Sequence, residues 1–110
     1  VRGMGEYIEL REINIEPRLE LTNFAKLMEQ QLLCNDYKGG WEKYSPYELL
    51  TQAQTSMFKV HENLSQHVIG AKLDAWDTVT LCTDVANYMM MVADTARRIY
   101  DEQGIRKLPD

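Results

Sequence analysis

Residues 45–64, Ser-Pro-Tyr-Glu-Leu-Leu-Thr-Gln-Ala-Gln-Thr-Ser-Met-Phe-Lys-Val-His-Glu-Asn-Leu, decide the fold class. Ser45 stands where an N-cap hydroxyl belongs, Pro46 at the first helical position and Glu48 at the third. Together they spell a capping box, in which the serine oxygen and the glutamate carboxylate satisfy each other's orphan amides. Behind the box, Leu50, Ala53, Met57, Val60 and Leu64 recur at i, i+3, i+7, i+10 and i+14, one face of an α-helix.

Helical patterns flank this stretch on both sides. Upstream, a helix is expected from Thr22, its N-cap, to Asn35, with Leu21, Phe24, Leu27, Met28 and Leu32 as the buried stripe and Gly39-Gly40 closing it. Downstream, Gly70 interrupts the pattern before a last helix at roughly 73–101. Its apolar positions (Val79, Cys82, Val85, Ala86, Met89, Met90, Val92, Ala93, Ala96 and Ile99) cover more than one face, which predicts a central helix buried on several sides. Arg97 and Arg98 complement the dipole at its end, and Gly104 stops it. Residues 7–15 partly alternate apolar and polar, the pattern of a short extended arm, which Pro17 ends. The expected fold is therefore all-α. An N-terminal extended arm (1–21) precedes a helical domain of three main helices (22–103) and a C-terminal tail (104–110). A helix this apolar asks for oligomerisation, with a partner chain completing the bundle.

A chain of 110 residues, 45% apolar and 26% charged, has the composition of one ordinary globular domain. The net charge of −5 argues against duplex DNA as a partner, because phosphate contacts dominate that affinity. It leaves room for a small anion in a local basic pocket. Cys34 and Cys82 sit inside apolar helical patterns without a metal-spaced partner, and read as buried free thiols in a reducing compartment. No apolar run approaches the ~18 residues of a membrane span, and no signal-peptide pattern is present, so the expectation is a cytoplasmic protein without a membrane partner.

Residues 35–41, Asn-Asp-Tyr-Lys-Gly-Gly-Trp, carry the functional signal. Two adjacent glycines let the backbone turn sharply and approach a ligand. Lys38 can meet a phosphate while Trp41 or Tyr37 covers a base. On residue types alone, a helix-ending turn with a surface tryptophan nearby is the better fit.

Asn-x-x-Lys-Gly-Gly-Trp closing one helix, Ser-Pro-x-Glu-Leu-Leu opening the next, and Asp-Val-Ala-Asn-Tyr (84–88) in the third follow one another in a recognisable order. In this the chain resembles the MazG-like all-α nucleoside triphosphate pyrophosphohydrolases, particularly the small single-domain versions found in phage genomes. The resemblance covers about residues 22–100. It implies a helical bundle assembled as a dimer or dimer of dimers. It also implies a Mg²⁺-dependent cleavage of nucleoside triphosphate to monophosphate and pyrophosphate, with acidic residues on two facing helices as ligands.

The family's metal pattern is largely missing. Its second-helix acids fall here on Thr55, Ser56 and Lys59, its third-helix glutamate on Leu81, and only Asp84 remains. One carboxylate cannot gather the ions such a hydrolysis needs, and Lys59 repels Mg²⁺. Glu62 and Asp77, with Asp84, are the weak alternative for a relocated metal site. The nucleotide-facing positions survive as Lys38, Trp41, Asp84 and Asn87, and Lys59 gains a second use as a phosphate partner.

Other candidates carry less. His61 and His67, six apart, share no face with a cysteine, and Ser56 has no sequence-evident catalytic partners. Met89-Met90-Met91 reads as core or interface. Tyr44 and Tyr47 flank the capping box and can shape a rim, while Trp76 is open between a helix junction and the pocket. The leading expectation is a catalytically impaired domain that binds a nucleotide or nucleotide-derived signal through Tyr37, Lys38, Trp41, Lys59, Asp84 and Asn87, with no cofactor. The alternatives are an active Mg²⁺-dependent pyrophosphohydrolase with a displaced metal site, and a helical protein-interaction module.

Overall fold

Three α-helices and two short 3₁₀ turns make up the secondary structure of the computed structural model, which describes residues 15–103. The helices are α1 (Leu19–Asn35), α2 (Pro46–Val68) and α3 (Ala75–Gln103). Among the described residues there is no strand, so the all-α expectation with three main helices holds. The arm expected at 7–15 falls outside the described residues except for Ile15, which is exposed and lies in neither helix nor strand. Residues 104–110 of the expected tail, with the helix-stopping role of Gly104, also fall outside them.

The capping box forms as read. Glu48 N donates to Ser45 Oγ at 3.1 Å, and Ser45 N donates to Glu48 Oε1 at 2.8 Å, with Pro46 opening α2. The far end of α2 closes on Gly70. Its φ of +111° lets Gly70 N reach His67 O at 3.1 Å and Ala71 N reach Gln66 O at 2.9 Å. These two bonds satisfy carbonyls that the helix end would otherwise leave orphaned. Asp74 then caps α3, accepting from Asp77 N at 3.0 Å.

The start of α1 differs from expectation. Thr22 is not the N-cap: the helix begins three residues earlier at Leu19, with Arg18 as its cap. Leu19, Glu20 and Leu21 are good helix formers, so the helix runs back until Pro17 and the backbone restriction it imposes on Glu16. The Thr22 hydroxyl instead bonds back to Arg18 O at 3.4 Å. The other end differs too. A 3₁₀ turn at Asp36–Lys38 separates α1 from the glycines, and only Gly39 takes a left-handed conformation, with φ of +93°.

Helix α3 packs against both α2 and α1 and is the shared partner of the bundle, but Met89, Ala93, Ala96 and Ile99 of its expected apolar set are exposed, so it is not buried on every side its pattern predicts. The buried face of α2 is rotated from the expected one. Leu49, Ala53 and Ser56 are buried and Val60 and Asn63 half-buried, whereas Met57 and Leu64 are exposed. Small side chains at 53 and 56 let the α2 backbone approach α3 closely, and on α3 Leu81 and Thr83 are buried. Asn63 Nδ2 locks the far end by donating to Asp77 Oδ2 at 2.9 Å. In α1 the expected stripe is only half-buried, and Leu21 is exposed. Cys34 is likewise exposed and Cys82 half-buried, both as free thiols, so neither is the buried thiol expected.

Candidate functional site

Helix packing brings the C-terminal turns of α1, the 36–44 loop and the middle of α3 around one cleft of about 330 Å³. That volume lies within the range of small-ligand sites, about 300–1,000 Å³. Four of the six residues singled out in the sequence, Lys38, Trp41, Asp84 and Asn87, line it. They come from separate elements: Asp84 and Asn87 sit at i and i+3 on α3, while the loop carries Lys38 and Trp41 across to them.

The loop is held by two devices. The Trp41 indole Nε1 donates to Asp94 Oδ2 at 3.0 Å, joining residues 53 apart in the chain. Asp94 also accepts from Arg98 Nη2 at 2.7 Å and Arg97 Nη2 at 3.2 Å, so these arginines serve the loop anchor rather than the helix end. The hydrogen bond from Trp41, helped by the Arg98 charge, holds the Asp94 carboxyl below its ordinary range. Within the loop, Lys43 Nζ donates to Lys38 O at 3.1 Å, which places two ammonium-bearing chains at the rim.

The floor of the cleft is polar and only partly satisfied. Asn87 is 5% exposed, and its Nδ2 donates to Met28 O on α1 at 3.1 Å. Its Oδ1 and the Oε1 of Gln31 are buried without a partner. Such orphaned acceptors are rare in folded proteins and call for a donor. Asp84 lies beside them. Burial pushes its carboxyl above the ordinary value, while a hydrogen bond from Gln31 and the charge of Lys59 pull the other way. Burial, the Asp84 charge and Tyr44 likewise raise the Tyr88 phenol, so it keeps its proton through neutral pH.

Two sequence candidates are not brought into the cleft wall. Tyr37 is 81% exposed and lines neither this cleft nor its neighbour; its ring lies 5.7 Å from Lys38 Nζ instead. The 3₁₀ turn at Asp36–Lys38 leaves the side chain of Tyr37 in solvent, outside the cleft wall. Lys59 is exposed on α2 and acts on the site only through its charge at Asp84.

The positions that the resemblance aligns with metal ligands are packing or surface residues. Ser56 and Leu81 are buried, and Thr55 Oγ1 donates back to Thr51 O at 3.1 Å. Asp77 accepts from Asn63 at the start of α3, two helical turns from Asp84, and Glu62 is exposed on α2. Among the described residues no three His, Cys, Asp or Glu side chains converge to hold a metal ion, so Asp84, Asp77 and Glu62 do not form the relocated site.

Sequence reading missed Gln31, Tyr88 and Asp94. Each had a positional signal. Gln31 is a polar residue on the apolar stripe of α1, seven after Phe24. Tyr88 lies one turn after Asp84, and Asp94 two turns after Asn87 on the same face. No protein-family profile, curated protein or solved structure matches this chain. None of the described helices is long and apolar enough to cross a membrane.

Proposed function

We propose that the cleft holds a nucleotide or nucleotide-derived anion without hydrolysing it, as a MazG-like domain stripped of its metal site would. The carrying observation is the floor: two buried acceptors without partners, on Gln31 and Asn87, beside the Asp84 carboxylate. A nucleobase amine or ribose hydroxyl supplies the missing donors. Lys38 and Lys43 at the rim supply the positive charge that a phosphate needs, in a chain whose net charge is negative. The half-buried Trp41 offers its ring as a wall, since its N–H is already committed to Asp94.

The test incubates stoichiometric protein and Mg²⁺ with a panel of nucleoside mono- and triphosphates. Loss of a nucleotide from the filtrate, followed by release of the same intact molecule on heat denaturation, is the expected result. Monophosphate and pyrophosphate in the filtrate would restore the enzyme. No depletion of any compound would leave the helical interaction module. Lys38→Ala is expected to weaken binding by about 1.5–3 kcal/mol, the range for a hydrogen bond to a charged group.

The same reading takes the chain as a homo-oligomer. Only Leu49, Ala53 and Leu81 form the buried hydrophobic core of the described residues, while Met57, Phe58, Leu64, Val68 and Trp76 are exposed. Met57, Leu64 and Val68 share one face of α2, the apolar stripe that α3 leaves uncovered. A second copy of the chain would bury it.

A further inference from the structure

The cleft does not end at the floor just described. A second lobe of about 540 Å³ adjoins it, and Lys38, Tyr44, Leu49 and Tyr88 line both. The second lobe has a different chemistry from the first. Three tyrosine rings, of Tyr44, Tyr47 and Tyr88, line it over the buried Leu49 side chain. Besides Lys38 its one charged wall residue is Glu48, whose carboxylate is held by the Ser45 amide at 2.8 Å in the capping box. The Gln52 side chain on the next turn has no partner among the described residues and is free to read a ring edge. Such a lobe suits a flat, uncharged aromatic group, which stacks on tyrosine irrespective of its identity.

Among the described residues, Lys38 is the only cation that lines both lobes. The unpartnered acceptors of Gln31 and Asn87 line only the first lobe and Tyr47 lines only the second, while Tyr44 and Tyr88 stand between them on both. Resting on the nucleotide-binding reading above, we infer that the preferred ligand is a dinucleotide, two nucleosides joined through phosphate. One nucleoside occupies the Trp41–Asp84–Asn87 lobe, the bridging phosphate meets Lys38, and the second base stacks in the Tyr44–Tyr47–Tyr88 lobe. A mononucleotide fills one lobe and leaves the other to water.

The experiment is calorimetric titration of the full chain with AMP, ADP and P1,P2-di(adenosine-5′) diphosphate, repeated with the guanine compounds. Wild-type protein is expected to bind the dinucleotide at least about tenfold more tightly than either mononucleotide, the worth of one stacked base. Tyr47→Ala and Gln52→Ala remove that advantage and leave mononucleotide affinity in place. Both positions are on the exposed side of α2, so their truncation leaves the fold intact. Equal affinity for AMP and the dinucleotide would overturn the inference while preserving nucleotide binding. So would a loss of AMP affinity in Tyr47→Ala, which would put the single base in the tyrosine lobe. No binding of any compound would overturn the proposed function itself.

Discussion

Asn87→Asp changes almost no volume and reverses the chemistry of one buried atom. The Asn87 amide nitrogen donates to Met28 O at 3.1 Å, tying α3 to α1, in a side chain only 5% exposed. A carboxylate in its place presents an acceptor to an acceptor, and the neutral hydrogen bond, worth about 1 kcal/mol, is lost. The new charge is also buried one turn from Asp84, whose own carboxyl already suffers from burial. Desolvation and the missing donor should lift its folded-state pKa by about two units, and each unit is worth about 1.4 kcal/mol. The combined cost near pH 7.5 is about 3–4 kcal/mol. The sign of the pH dependence follows from linkage. An acid whose folded pKa is raised destabilises fully above that pKa and not at all below its unfolded value. Once protonated, the carboxyl can donate to Met28 O and restore the tie, so the cost should fall below about 1 kcal/mol near pH 4. Urea unfolding of wild type and variant at both pH values, read by Trp41 and Trp76 fluorescence, measures it. A cost that is the same at both pH values, or below about 0.5 kcal/mol at neutral pH, would refute the interhelical bond and the polar floor built on it.

Gly39→Ala should cost about 1–3 kcal/mol in thermal unfolding, because φ of +93° with ψ of 174° is a region kept for glycine. Gly40→Ala, with an ordinary φ of −81°, meets only the movable carboxylate end of Glu42 and should change stability little. The two carboxyls on α3 should respond to acid in opposite senses. Asp94, held low chiefly by Trp41, contributes stability that is complete above the ordinary carboxylate range and is lost as pH falls through its depressed value; Asp94→Asn should flatten the acid limb of the melting curve. Asp84, held high, costs stability as pH rises past its ordinary value, so Asp84→Asn should stabilise the unliganded protein at neutral pH and match wild type in strong acid. Phe58→Glu and Met57→Glu, both at exposed positions, should lower the mass found by sedimentation equilibrium while leaving the helical circular dichroism unchanged.

The local signals were legible wherever a short stretch satisfies its own backbone. The Ser45–Glu48 box and the Gly70 stop need only neighbouring residues, and both form as read. Thr22 misled because a good capping residue loses to three preceding helix formers with nothing to stop them before Pro17. Apolar spacing gave the existence of α2's buried face but missed its rotation. Periodicity weighs Met57 above Ser56, whereas close helix packing rewards the small side chains at 53 and 56.

By itself, the amino-acid order determined three helices, their approximate limits, and a glycine-bearing loop with lysine and tryptophan between the first two. These follow from hydrogen bonds and periodicities within a few residues of each other. Tertiary structure alone decided which candidates meet. It turned Tyr37 outward, kept Lys59 at the edge, and gave Gln31, Tyr88 and Asp94 their places at the cleft. It also buried Ser56 and Leu81 while leaving Thr55 and Lys59 at the surface, because burial and pairing depend on partners that lie tens of residues away in the chain.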